Sequence, residues 1–513
     1  MGIENQYKLI DLNLLNRFLY KYFLFFGIIN FILFYLPSEK LFFFLYFVSV
    51  IIFIVLFSKL IKDDFFCFFA QTSSIFLIVL TQMTFIISFV LSKILYDINF
   101  ENFMNNFFFC DLKTYALANV YLSFFSISLI FFNKIVSINL IRSVRNKINT
   151  LDFSFENKKI YMLIFLCILI EFFYLFSGSL GSQLTGGFVV KDAEFIKGMN
   201  EYDDVNWYTQ FYYFIITFHL FLNVLFFSKK KRHISKIALY FVLISILVNF
   251  LFYGFFLRRM AVQFFLIGIV FYIFFKKQKI NFRLTIFGLI FFFLIFQFTN
   301  FLQTIRTNES YNLNENKTLL EIFKEGKIKD YFFDNNVSYA NKGEISSNIS
   351  RRIFNNHELA SLFYYETGKT DVLKGQLLLN HSIRAIPSRL FPNKHEYQIA
   401  EPLVSKITSS PLFLRDTRDS FQSYSYADFG ILGIIIYPFI LNILFLFFYK
   451  VINLKIIKNT TGLFIIMLFF PMFSIRIIEI NITDWIVLLR NIIIFILIFN
   501  FLLLKKEDPE KKI

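Results

Sequence analysis

Cysteine is scarce. The 513-residue chain carries only Cys67, Cys110 and Cys167, a number and spacing that give neither a disulfide framework nor a thiolate metal site. The usual catalytic signatures are missing as well: there is no HExxH, no GxSxG elbow and no CxxC pair. The glycine-rich stretch SGSLGSQLTGG, residues 177–187, lacks the Gly-Lys-Ser/Thr that makes a phosphate-binding loop, and reads as a flexible or re-entrant loop. No DxD-type metal site is found in the loops; the pair Asp203-Asp204 comes nearest. No internal repeat is visible, which disfavours a transporter built from inverted halves. The N-terminus has no small-residue cleavage site, so the first apolar run is expected to remain as a helix.

What the chain has in abundance is apolar surface. Hydrophobic residues make up 57%, 80 residues are phenylalanine, and the mean hydropathy is +0.60. A soluble domain needs a polar skin and has no room to hide that much apolar area. Long apolar runs separated by short basic clusters therefore predict an all-α, polytopic helical membrane protein. Phe, Ile, Lys and Asn are favoured over Ala and Gly, the pattern of an AT-rich genome, so single phenylalanines carry little information. The net charge of +16 sits in short loops on one side, as membrane insertion requires, so nucleic acid is not the expected partner.

Runs of spanning length fall near 18–36, 41–60, 70–92, 114–132, 160–178, 207–227, 236–257, 260–275, 282–301, 427–449, 461–476 and 482–504, about twelve in all. Alternate connections are basic: Lys59 and Lys62, then Lys134, Arg142, Arg145, Lys147, Lys158 and Lys159, then SKKKRHISK (228–236), KKQK (276–279), and Lys450, Lys455 and Lys458. One alternation accommodates them all, placing these connections and both termini in the cytoplasm. Residues 1–301 then form nine spans, 302–426 a large extracytoplasmic loop, and 427–513 three further spans and a cytoplasmic tail. Within the loop, TLLEIFKEG (318–326) and SNISRRIFNNHELASLFYYE (347–366) read as short amphipathic helices suited to the membrane surface.

Three sets of polar residues are candidates for chemistry. Arg258 and Arg259 occupy a tight outer turn between the seventh and eighth spans, where positive charge opposes translocation. They suit either a bound anion such as a phosphate, gripped by bidentate guanidinium contacts, or snorkelling to outer-leaflet headgroups. Arg476, Glu479, Asp484 and Arg490 cluster around the eleventh and twelfth spans, and Glu171 in the fifth is a candidate partner for Arg490. They read either as structural ion pairs or as the lining of a hydrated cavity. His219 and Asn223 share one helix face and are read as interhelical packing. The loop holds Arg306, Arg351, Arg352, Arg384, Arg389, Arg415 and Arg418, with His357, His381 and His395 among carboxylates. In aggregate such a loop suits a lipid-linked diphosphate.

The segment RDTRDSFQSYSYADFGILGIIIYPFILNILF, residues 415–445, resembles the end of the large periplasmic loop in bacterial O-antigen polymerases, the oligosaccharide repeat-unit polymerases of the Wzy type. There an acidic approach leads into a helix beginning Phe-Gly-x-x-Gly, matched by Phe429, Gly430 and Gly433. The arginine-bearing turn at Arg258-Arg259, the late large loop and the number of spans are similar too. Related O-antigen ligases typically carry a histidine just before this helix, where the present chain has Asp419, Ser420 and Gln422. The resemblance implies a GT-C-like glycosyltransferase of the bacterial cytoplasmic membrane. It would join oligosaccharide units carried on undecaprenyl diphosphate, without nucleotide sugar, cofactor or metal, and a chain-length regulator is a conceivable partner. It also implies that Arg258, Arg259, Arg415 and Arg418 bind the diphosphate and that Asp419 is the base. Glu401, His395 and His381 are next in line for that role, with Arg476, Glu479, Arg490 and Glu171 in support. The competing expectations are a flippase for lipid-linked oligosaccharide and a structural or regulatory subunit of an envelope assembly.

Overall fold

A computed structural model describes residues 12–60, 99–102, 104, 110–132, 236–256, 372–386, 390–397 and 421–453, with single positions at 89, 93, 158, 161, 162, 164, 165, 168, 169, 222, 359 and 363. Among the described residues every regular element is helical. The α-helices are α1 (Leu12–Tyr35), α2 (Glu39–Leu60), α3 (Leu112–Phe132), α4 (Lys236–Phe256), α5 (Gln376–Arg384), α6 (Phe421–Phe429) and α7 (Gly433–Asn453). Short 3-10 turns occupy Pro392–Glu396 and Gly430–Leu432. The chain divides into two compact units, one holding α1 to α3 and α5 to α7, the other holding α4.

Three helical stretches are long and apolar enough to cross a membrane: Arg17–Tyr35, Leu112–Phe132 and Phe421–Leu444. At about 1.5 Å per residue, the 21 residues of α3 match a hydrocarbon core of about 30 Å. The exposed face of α1 is as apolar as its buried one: Tyr20, Leu24, Ile28 and Phe31 face outward, while Leu19, Phe23, Phe26 and Leu33 face in. A helix apolar all round belongs in lipid or in a deep core, and outward exposure selects lipid.

Local chemistry sets the helix ends. Pro37 stops α1, because the residue before a proline is pushed out of helical geometry, and Glu39 then opens α2 at its electropositive end. Asp111 caps α3, its Oδ1 accepting from the Thr114 amide at 2.8 Å, a contact of about 1 kcal/mol. The sequence limits 41–60, 114–132 and 236–257 agree with α2, α3 and α4 to within two residues.

α1 packs along α3, α3 against α7, and α2 against α1. A buried polar chain links the first three helices: the Tyr46 hydroxyl donates to Asn30 Oδ1 at 2.8 Å and accepts from Asn119 Nδ2 at 2.9 Å. Asn30 Nδ2 in turn donates to the Phe26 carbonyl. In a lipid setting, where van der Waals packing holds helices together, such bonds fix register and contribute roughly 0.6–2 kcal/mol each. In the second unit, Ala238 and Val242 of α4 are fully buried, and Phe241 meets Tyr161 edge-on with ring centroids 5.5 Å apart.

The apolar run at 427–449 differs from its expected form. Helix α6 begins at Phe421, six residues before the limit of 427, and Phe429-Gly430-x-x-Gly433 joins it to α7, which starts at Gly433. Gly430 adopts φ +56°, and the chain makes a 3-10 turn there. Gly433 allows a close approach: a Cβ at this position would collide with the Ser425 carbonyl and lie 2.7 Å from the Tyr121 hydroxyl. Both glycines are therefore demanded by geometry, one by its backbone and one by its neighbours.

Candidate functional site

The junction of α5 with α6 and α7 is the most highly organised polar region among the described residues. α5 starts without a cap of its own, since Gly375 precedes it at φ +89° and supplies no side chain. The carboxylate of Asp428, at the end of α6, takes that place. Its Oδ1 accepts from the Leu377 amide at 2.9 Å and its Oδ2 from the Leu378 amide at 3.0 Å. Oδ2 also accepts from the Tyr437 hydroxyl of α7 at 2.7 Å. The amide of Leu373 bonds the Ala427 carbonyl, and the Phe429 ring seats against Gly375. A helix N-terminus is a natural anion site, and here the anion is part of the protein.

Around this junction α3 and the loop make further contacts. Tyr121 of α3 bonds the Ser425 hydroxyl at 2.7 Å and donates to the Gly430 carbonyl at 3.3 Å. His381 of α5 is buried and stacks on Tyr424 of α6 with centroids 5.3 Å apart. Phe363 stacks on Tyr426 at 4.1 Å, and Leu359 is fully buried. Both positions are helical, and the Phe363 ring lies against α6. The C-terminal end of α5 is closed by Lys394, whose Nζ donates to the Arg384 and Ile386 carbonyls, while Arg384 donates to the Tyr397 carbonyl.

The chemical capability of this arrangement is positioning. Both Asp428 oxygens are occupied by donors and the side chain is fully buried, so it is fitted to hold α5 in place and not to take a proton from a substrate. Among the described residues no group of three His, Cys, Asp or Glu side chains is placed to hold a metal ion. Outside the spans, burial first and the neighbouring Asp111 charge second push the Cys110 thiol well above its ordinary range.

Of the residues singled out in the sequence, Arg258, Arg259, Arg415, Arg418, Asp419, Arg476, Glu479, Arg490 and Glu171 lie outside the described residues, as do His357, Glu401 and Asp484. His381 and Arg384 are described, and the 3-10 turn Pro392–Glu396 contains His395. Asp428 was not singled out, although a signal existed. It is the only charged residue between Phe421 and Leu444, and a lone carboxylate in such a stretch must find donors. No family model, no curated protein and no solved structure matches the chain.

Proposed function

We propose that this chain is a membrane glycosyltransferase that polymerises undecaprenyl-diphosphate-linked oligosaccharide repeat units into O-antigen or a related surface polysaccharide. In this reading it has twelve spans in a GT-C-like arrangement, both termini in the cytoplasm, and the 302–426 loop outside. The observation that carries it is the 415–445 segment, where an Arg- and Asp-bearing approach runs into Phe429-Gly430-x-x-Gly433. The geometry at Gly430 and Gly433 gives that motif a structural reason, and the Asp428 latch ties a loop helix to the same place.

In the reaction, the acceptor sugar hydroxyl attacks the anomeric carbon of the donor, whose bond to the diphosphate breaks. Arg258, Arg259, Arg415 and Arg418 neutralise the departing undecaprenyl diphosphate, a task a metal performs elsewhere. Asp419 takes the hydroxyl proton. Activity should therefore persist in excess EDTA.

A glycan ladder from a strain lacking the gene tests the reading. Lipid carrier with a single repeat unit outside the membrane, and no longer chains, is the expected result. Absence of any repeat on the outer leaflet would instead identify a flippase.

A further inference from the structure

The loop segment around α5 has two apolar sides. On one, Leu377 and His381 are buried against α6. On the other side, Leu379 of α5 is followed, beyond the helix end at Arg384, by Ile386 and Leu390. All three are uncovered: Leu379 is 57% exposed and Leu390 76% exposed, with Ile386 exposed between them.

The segment that carries them starts next to the lipid boundary. The start of α5 is bonded to Ala427 and Asp428 and touches Phe429, and the following residues, Ile431 and Leu432, are 76% and 65% exposed. They belong to the Phe421–Leu444 stretch, whose length and apolar composition suit a membrane span, so lipid is the medium that meets them. Residues 372–397 contribute Lys374, Arg384, Arg389 and Lys394 against a single acid, Glu396. They also carry the aromatic pair Phe391 and Tyr397, with centroids 5.8 Å apart. Exposed aliphatic residues, an excess of cations and aromatic rings are the composition of a segment that lies in the headgroup region.

We infer that α5 and the residues just after it rest on the bilayer surface, with Leu379, Ile386 and Leu390 dipping into the acyl boundary. The inference rests on the chain being a membrane protein and is independent of the reaction proposed above. The test uses the full chain in nanodiscs containing phosphatidylglycerol, with its native cysteines replaced and a spin label placed singly at 379, 386, 390 or the α7 position 435. Collision with oxygen reports lipid, and collision with a water-soluble nickel chelate reports solvent. Labels at 379, 386 and 390 should favour oxygen, as should the lipid-facing reference at Ile435, which is exposed on α7. Nickel-dominated collision at all three loop positions would overturn the inference. So would exclusion of both reagents, which would mean that protein covers these positions. The three positions are exposed and tested separately, so a variant that fails to give monodisperse protein leaves the other two to decide.

Discussion

Tyr437 and Asp428 sit on opposite sides of the Gly430 turn, yet the Tyr437 hydroxyl donates to Asp428 Oδ2 at 2.7 Å. The bond spans the only interruption between α6 and α7. The same carboxylate holds the start of α5, so a single side chain ties α6 both to α7 and to α5.

Asp428→Asn removes one acceptor and turns an amide NH2 toward a backbone donor. Stability should fall by about 1–3 kcal/mol, the penalty for leaving a buried donor unsatisfied. A lower thermal midpoint in detergent and faster protease cleavage within 372–397 are the expected readouts. An unchanged midpoint and cleavage pattern would mean that the latch carries no load.

Gly433→Ala should be much more harmful than Gly430→Ala. The first forces a methyl into the Ser425 carbonyl, which is backbone and cannot move aside cheaply. The second imposes a left-handed conformation on alanine, at about 1–2 kcal/mol, and meets only Val372 at 3.4 Å. The yield of monodisperse protein, ranked wild type, then Gly430→Ala, then Gly433→Ala, checks the order.

The long apolar helices were legible in the sequence because α2, α3 and α4 carry large apolar residues on exposed and buried positions alike, as Phe44, Phe131 and Tyr240 show. α6 was not, because its run Gln422, Ser423, Tyr424, Ser425 looks like loop. Those residues are buried all the same, and Ser425 finds partners in Tyr121 and the Gln422 carbonyl. Hydropathy carries no information about such pairings. The cap of α5 was hidden for a related reason: nothing near Gly375 announces a carboxylate 51 positions from Leu377. The expected site fared differently, since Arg258, Arg259 and Asp419 lie outside the described residues and stand on the sequence alone.

Tyr46→Phe removes the hydroxyl that joins Asn30 to Asn119. The expected loss is roughly 1–3 kcal/mol, two interhelical bonds together. A double-mutant cycle with Asn119→Ala, measured by unfolding in mixed micelles, should show coupling between the two positions. Additive effects would contradict the link.

Cys110 should resist maleimide near neutral pH in the native protein, because burial disfavours its thiolate, and should react once the chain is unfolded in SDS. Rapid labelling before denaturation would show that this part of the unit opens.

For the proposed reaction, Arg→Lys at whichever of Arg258 and Arg259 contacts the diphosphate should leave polymerisation impaired, since lysine lacks the planar fork. Loss of that contact should cost roughly 2–4 kcal/mol in the transition state, about thirty- to a thousandfold in rate. Full polymer length from the double Gln variant at normal abundance would make these arginines headgroup anchors.

The borrowed cap of α5 has a consequence for biosynthesis. A nine-residue helix is too short to persist alone in water, and this one begins at a glycine with nothing of its own to bind its free amides. Its stabilising carboxylate leaves the ribosome about fifty residues later, on the far side of the Phe421 helix start. The segment 376–384 therefore emerges as unstructured chain and folds only when α6 brings Asp428 to it. A nascent chain arrested before residue 428 should leave it open to protease.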